Sequence, residues 1–212
     1  NGAFDTTFGS SNWVTTVPGP YDTLSKLTLL SDGGFYATGS CGSAPVVACN
    51  LRYSASGSFM GTLNSSWGTN LAEEVKDVRE RAGKVTIAGI AWDSSRYRMY
   101  ATRYDWATQT SDASFGGTYP TTGNAGDINI DSSNDGNAYV AKILRDGSIF
   151  FHGVCNNGAI LCTARFTPNG VLDSAYGVAG RFEYVNGSPF TAGADVLNIV
   201  EEAADGKVLV GG

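Results

Sequence analysis

Apolar residues along the chain come in short runs, each closed off by Gly, Ser, Asn or Pro. The runs at residues 24–30, 35–39 and 50–53 are rich in Leu, Thr, Phe and Tyr. Short β-branched or aromatic runs bounded by turn formers predict strands rather than helices. One such run recurs. A Gly stands six residues before another Gly in Gly33-Gly-Phe-Tyr-Ala-Thr-Gly39, Gly83-Lys-Val-Thr-Ile-Ala-Gly89, Gly147-Ser-Ile-Phe-Phe-His-Gly153 and Gly206-Lys-Val-Leu-Val-Gly-Gly212. Asp32, Asp146 and Asp205 introduce three of the four copies. Asp-Gly ahead of an apolar run is a hairpin signal, because Gly tolerates the positive φ that a tight turn needs.

Two further motifs keep the same order. One follows each complete run: Cys49-Asn-Leu-Arg52-Tyr53, Tyr100-Ala-Thr-Arg103-Tyr104 and Cys162-Thr-Ala-Arg165-Phe166. The other opens the units: Gly2-Ala-Phe4-Asp5-Thr-Thr-Phe8-Gly9, Ser111-Asp112-Ala-Ser-Phe115-Gly116 and Gly170-Val-Leu172-Asp173-Ser-Ala-Tyr176-Gly177. The second unit opens on a degraded copy, Gly57-Ser-Phe59-Met-Gly-Thr-Leu63. The turn glycines are spaced 50, 64 and 59 residues apart. Three independent markers in constant order divide the chain at about 1–55, 56–108, 109–168 and 169–212.

Each unit reads as about four strands, the content of one propeller blade. The expected fold is therefore all-β: a β-propeller of four-stranded antiparallel blades, with about three and a half repeats in residues 1–212. The fourth unit holds no Arg-aromatic strand, so further chain or a second protomer is expected to complete it. Residues 73–81 carry alternating charges and look the most helical. Their register against residues 24–30 and 196–200 makes them the second strand of a unit, with the charges on a solvated face.

Composition agrees with this pattern. Of 212 residues, 28 are Gly, and charged residues make up 16% against the usual quarter. A net charge of -6 makes nucleic acid or an anionic membrane a poor partner, since both demand a basic face. No apolar run approaches the length of a membrane span.

The cysteines fit the repeat. Cys41 follows Gly39 by two residues and Cys155 follows Gly153 by two, while Cys49 and Cys162 each precede the repeated arginine by three. Each pair thus brackets one hairpin, which predicts Cys41–Cys49 and Cys155–Cys162 disulfides across antiparallel partners. A Cys/His metal site using His152 has no matching spacing. Disulfides imply an oxidising compartment, secreted or periplasmic, with any signal peptide already removed.

At these residues the chain resembles the delta-60 repeat family of bacterial secreted proteins. The closest matches are Leu172-Asp173-Ser-Ala-Tyr176-Gly177, Asp205-Gly-Lys-Val-Leu-Val-Gly211 and Thr163-Ala-Arg165-Phe166. The resemblance covers essentially the whole chain and implies a β-propeller, export across the inner membrane and a role outside the cytoplasm. It brings no catalytic motif.

Catalytic signatures are scarce. No nucleophile elbow, zinc-protease motif, phosphate loop or dinucleotide fingerprint occurs. A serine triad would have to use His152, which falls within a strand. The pairs Glu73/Glu74 and Glu201/Glu202 are adjacent, so strand geometry points them to opposite faces. Asp131, Ser133, Asp135 and Gly136 space their groups as a calcium loop does, but Tyr139 and Lys142 stand where further ligands belong, so a plain turn is expected. Neither a metal nor a cofactor is therefore expected.

Arg52, Arg103 and Arg165 recur at one position, which predicts a shared structural role: pairing with a neighbouring blade through Asp5, Asp112 and Asp173. Aromatics outside the repeat frame are the candidates for recognition. Trp92, Tyr97, Tyr104 and Trp106 gather in and after the hairpin that lacks cysteines, and such rings stack on sugars or anchor interfaces. The expected function is a secreted, non-enzymatic propeller that binds protein or glycan, or acts as a scaffold, at the cell surface. The alternative is an extracellular hydrolase, glycosidase- or peptidase-like, with its site in the propeller channel.

Overall fold

The computed structural model describes residues 4–10, 13–14, 23–42, 47–63, 73–92, 97–108, 110–116, 127–130, 137–155, 160–184 and 199–211. These residues are all-β and contain no helix, hence none long and apolar enough to cross a membrane. The first sheet comprises β1 (Thr23–Leu29), β2 (Phe35–Cys41), β3 (Val47–Tyr53) and β4 (Phe59–Leu63), hydrogen-bonded antiparallel in that order. The second comprises β5 (Glu73–Arg81), β6 (Lys84–Trp92), β7 (Tyr97–Asp105), β8 (Thr110–Ser111) and β9 (Asp127–Ile130). Both β8 and β9 pair with β7, one near each end, so two short segments fill the fourth place. The third holds β10 (Asn137–Ile143), β11 (Ile149–Cys155), β12 (Ile160–Phe166) and β13 (Arg181–Tyr184). A fourth holds β14 (Ile199–Glu202) and β15 (Val208–Gly211).

Each sheet begins at an apolar or charged strand and turns at the repeated glycine. The residue two after that glycine fixes a common frame: Phe35, Val85, Ile149 and Val208 pair with Leu29, Glu80, Ile143 and Glu202. The same frame equates Leu27, Val78, Ala141 and Val200. A register shift recurs at one place in the first three sheets, between Leu24 and Lys26, Val75 and Asp77, and Ala138 and Val140. The second glycine of the repeat sits beside this bulge. A Cβ on Gly39 would lie 1.8 Å from the Thr23 carbonyl oxygen, so the crossing backbone requires glycine there.

Apolar layers lie between successive sheets. Tyr36 and Leu63 of the first meet Val75, Val78 and Ile87 of the second. Ile90 and Met99 of the second meet Ile143, Phe151 and Phe166 of the third. Leu144 and Phe150 of the third meet Val200 of the fourth. Among the described residues no strand joins the fourth sheet back to the first, and the stack is open.

The opening motif ties neighbours together. The main-chain N–H of Asp112 donates to Arg103 O on β7, while the Gly116 N–H donates to Asn169 O in the turn after β12. Between them Phe115 is buried in the layer shared by the second and third sheets.

One charge on β5 departs from the solvated face expected of the stretch. Asp77 is buried, because the first and third sheets close over it.

Candidate functional site

The repeated aspartates act first on their own turns. A carboxylate oxygen of Asp32, Asp146 and Asp205 accepts the N–H two residues on, from Gly34, Ser148 and Lys207. Asp5, Asp112 and Asp173 do the same for Thr7, Ser114 and Ala175. The second oxygen is then free for an arginine.

The three repeated arginines divide these carboxylates. Arg103 Nε donates to Asp112 at 2.9 Å. Arg165 reaches Asp146 at 3.0 Å and Asp173 at 3.5 Å. Arg52 pairs with Asp32 instead. The position equivalent to Asp112 and Asp173 is Met60 after β3, so only the turn aspartate remains for Arg52. In the second sheet the turn position is Ala82, so Arg103 relies on Asp112. Asp112 and Asp173 lie along the edge of the arginine's own sheet rather than on a neighbouring one, and Asp5 bonds Thr7 rather than a repeated arginine.

Asp112 is held at about 2, chiefly by the Ser114 hydroxyl, with the Ser114 N–H and Arg103 reinforcing it against burial. Burial pushes Asp146 upward, but Ser148 and Arg165 outweigh it and leave the carboxyl below its ordinary value.

A cleft of about 400 Å³ opens between the second and third sheets at this end. Arg79, Arg81, Lys84 and Arg103 line it, together with Asp112 and Asp146. Arg103 is fully engaged, by Asp112, by the Pro168 carbonyl at 2.8 Å and by the Phe115 ring 4.8 Å below. Lys84 lies 3.1 Å from Asp105 and 3.7 Å from Asp112. Arg79 and Arg81 differ. Arg79 donates to the Ile143 carbonyl at 3.0 Å and Arg81 to the Asp146 carbonyl, and neither pairs with a carboxylate among the described residues.

The clasp between sheets explains why the cleft opens here. Glu80 accepts the Ser31 N–H at 3.0 Å, joining the first two sheets. Glu202 accepts the Arg145 N–H at 2.7 Å, joining the last two. The equivalent residue of the third sheet is Ile143, which offers no carboxylate to Arg81. A second recess, of about 310 Å³, lies among β1, β5 and β10. Its Lys26 pairs with Asp77 and its Lys142 with Glu201.

The chain matches no family model and no curated protein.

The aromatic candidates separate. Trp92 and Tyr97 pair through the main chain at one end of β6 and β7, with side chains outside the described residues. Tyr104 is seven residues along β7, roughly 23 Å at strand rise. Tyr104 and Trp106 pack into the layer between the first two sheets, where Arg52 lies 3.5 Å over the Trp106 ring. The four residues thus fall at opposite ends of the β6–β7 pair.

Cys41 and Cys49 form a disulfide with Cα atoms 5.6 Å apart. It runs diagonally rather than straight across: Cys41 faces Val47, and Cys49 faces Gly39. Cys162 is also disulfide-bonded, and its strand repeats the register, with Gly153 opposite Cys162 and Cys155 opposite Ile160. The side chain of Cys155 lies outside the described residues, as do residues 131–136 of the calcium-loop pattern. Among the described residues no three His, Cys, Asp or Glu side chains gather as metal ligands. His152 is 0% exposed, and among the described residues neither ring nitrogen has a hydrogen-bond partner. Burial pushes it down to about 4, so the ring is neutral and shut away from any substrate.

Proposed function

We propose that this chain belongs to a β-propeller of delta-60 type, exported to an oxidising compartment, where it binds protein or glycan without chemically altering it. The cleft at Arg79 and Arg81 carries the binding part of the reading: two guanidinium groups without carboxylate partners among the described residues face a recess of ligand size. The propeller part is supported by Leu27, which is 70% exposed although its equivalents Val78 and Ala141 are 2% and 3% exposed beneath a preceding sheet. A blade stacked there would bury it. The Cys41–Cys49 bond supports export. A hydrolase using His152 is disfavoured by the burial of that ring.

A glycan and protein array, run beside a panel of chromogenic glycoside and peptide substrates, tests the reading. Saturable binding without turnover is expected. Turnover of any substrate, lost on a point change in the cleft, would replace it with the hydrolase.

A further inference from the structure

We infer that the cleft between the second and third sheets is an oxyanion site that receives the carboxylate or sulfate group of an acidic sugar. The inference deepens the binding reading above and rests on it. Its basis is a local excess of positive charge in an acidic protein. The chain carries a net charge of -6, yet four cationic side chains line this one recess. Both carboxylates in the lining are already matched: Asp112 by Ser114 and Arg103, and Asp146 by Ser148 and Arg165. Lys84 and Arg103 are matched in turn. Among the described residues two positive charges are left over, on Arg79 and Arg81.

Each of these guanidinium groups gives one N–H to a main-chain carbonyl. Such a contact fixes the group without neutralising it, and a guanidinium has five N–H donors in a planar fork. The remaining donors suit two oxygens of one anionic group, the geometry in which arginine exceeds lysine. Placement on a strand, with main-chain anchors, keeps the charges in position before a ligand arrives. Gly147 keeps the wall low: a Cβ there would lie 3.1 Å from an Arg81 terminal nitrogen, and φ is +89°.

The neutral lining points to a sugar. Thr86, Ser114 and Asn169 share the recess. Hydroxyl and amide groups both donate and accept, as ring hydroxyls require. A volume of about 400 Å³ accommodates one or two sugar rings rather than a folded partner.

The test titrates the protein with glucuronate, glucose 6-sulfate and glucose, followed by amide chemical shifts and by calorimetry. Saturable binding of glucuronate, of glucose 6-sulfate or of both is expected, with shifts at Ala82, Gly147 and Asn169; the two anions tell carboxylate from sulfate preference. Glucose should bind at least tenfold more weakly. Arg79→Met with Arg81→Met should reduce anion affinity at least tenfold, with circular dichroism reporting the fold. If that variant fails to fold, the shifts in the unaltered protein decide. Absence of saturable binding by both anions, or shifts confined to residues away from the cleft, would overturn the site. Array hits on neutral glycans or proteins would then leave the broader binding reading standing, whereas substrate turnover would remove that reading and leave the anion site.

Discussion

Asp77 accepts the main-chain N–H of Ile143 at 2.7 Å, from a strand in the next sheet. The same carboxylate takes Lys26 from the preceding sheet and the N–H of Val78 beside it. One side chain, 7% exposed, thus joins three sheets near the middle of the stack. Removing it leaves a buried N–H and an ammonium group without their acceptor. Asp77→Ala is expected to lower stability by about 2–4 kcal/mol, since Lys26 retains partial access to water. Lys26→Met should cost less than half as much, because the main-chain bonds survive. Urea unfolding of both variants is the check, and equal losses would show that the main-chain bonds contribute little.

Arg103 and Asp112 give a prediction with a pH signature. Arg103→Met should lower the melting temperature more than Arg145→Met, because the Arg145 side chain is half exposed and its ion pair is long, at 3.9 Å. Asp112 has a depressed value in the folded protein, about 2 against 3.8. Its contribution is complete above the unfolded value and is lost as pH falls from near 4 towards 2. Asp112→Asn should flatten the acid limb of a stability-against-pH curve, and a limb unchanged by the substitution would count against the pair.

His152 predicts an effect at milder acidity. Its folded value is about 4, below the ordinary 6.5, because burial disfavours the charged ring. The unfolded chain binds the proton first, so stability falls as pH drops from 6.5 to 4, by about 1.4 kcal/mol per pH unit at most. His152→Leu should abolish this slope. It should also raise stability at pH 7, because it removes from the interior two ring nitrogens that are unpartnered among the described residues. Thermal melts at pH 7 and pH 5 would reveal both effects.

Trp106 is expected to matter for stability rather than for recognition. Its ring lies under Arg52 and edge-on to Tyr36, with centroids 6.4 Å apart. Trp106→Leu should cost about 1–3 kcal/mol while leaving array binding intact. A loss of ligand binding at unchanged stability would reverse that assignment.

The strands and their turns were legible in the sequence because the signals are local. Asp-Gly ahead of an apolar run sets a turn within a few residues, and even the charged stretch of β5 falls into register. The partners of the repeated charges were less legible. Arg52, Arg103 and Arg165 look alike in sequence, but which carboxylate each takes depends on whether Asp or Ala fills the turn and whether Asp or Met follows the strand. The cleft was not legible at all. Arg79 and Arg81 read as outward charges on a strand, and only stacking against the third sheet turns them onto a recess. The decisive difference is one residue: Ile143 stands where Glu80 and Glu202 clasp their neighbours. Pairing with the residue two after the turn glycine fixes that equivalence, and such pairing leaves no mark in a hydrophobic pattern.

The Cys41–Cys49 disulfide gives a further expectation. Closing an eight-residue separation, it should contribute about 2–3 kcal/mol in the loop-entropy view. Replacing both cysteines with serine should lower the melting temperature under oxidising conditions. It should also remove most of the response of the first sheet to thiol reductants, as read by amide exchange.

The diagonal disulfide sits at one tip of the β2–β3 hairpin, and the Asp32–Arg52 pair sits at the other. The two ends of one sheet therefore answer to different chemistry. High salt weakens the charged end and leaves the sulfur bond untouched, while a thiol opens the covalent end and leaves the charges paired. A change of compartment that alters both ionic strength and redox poise would release both ends at once, whereas a change in either alone leaves the hairpin anchored from the opposite side.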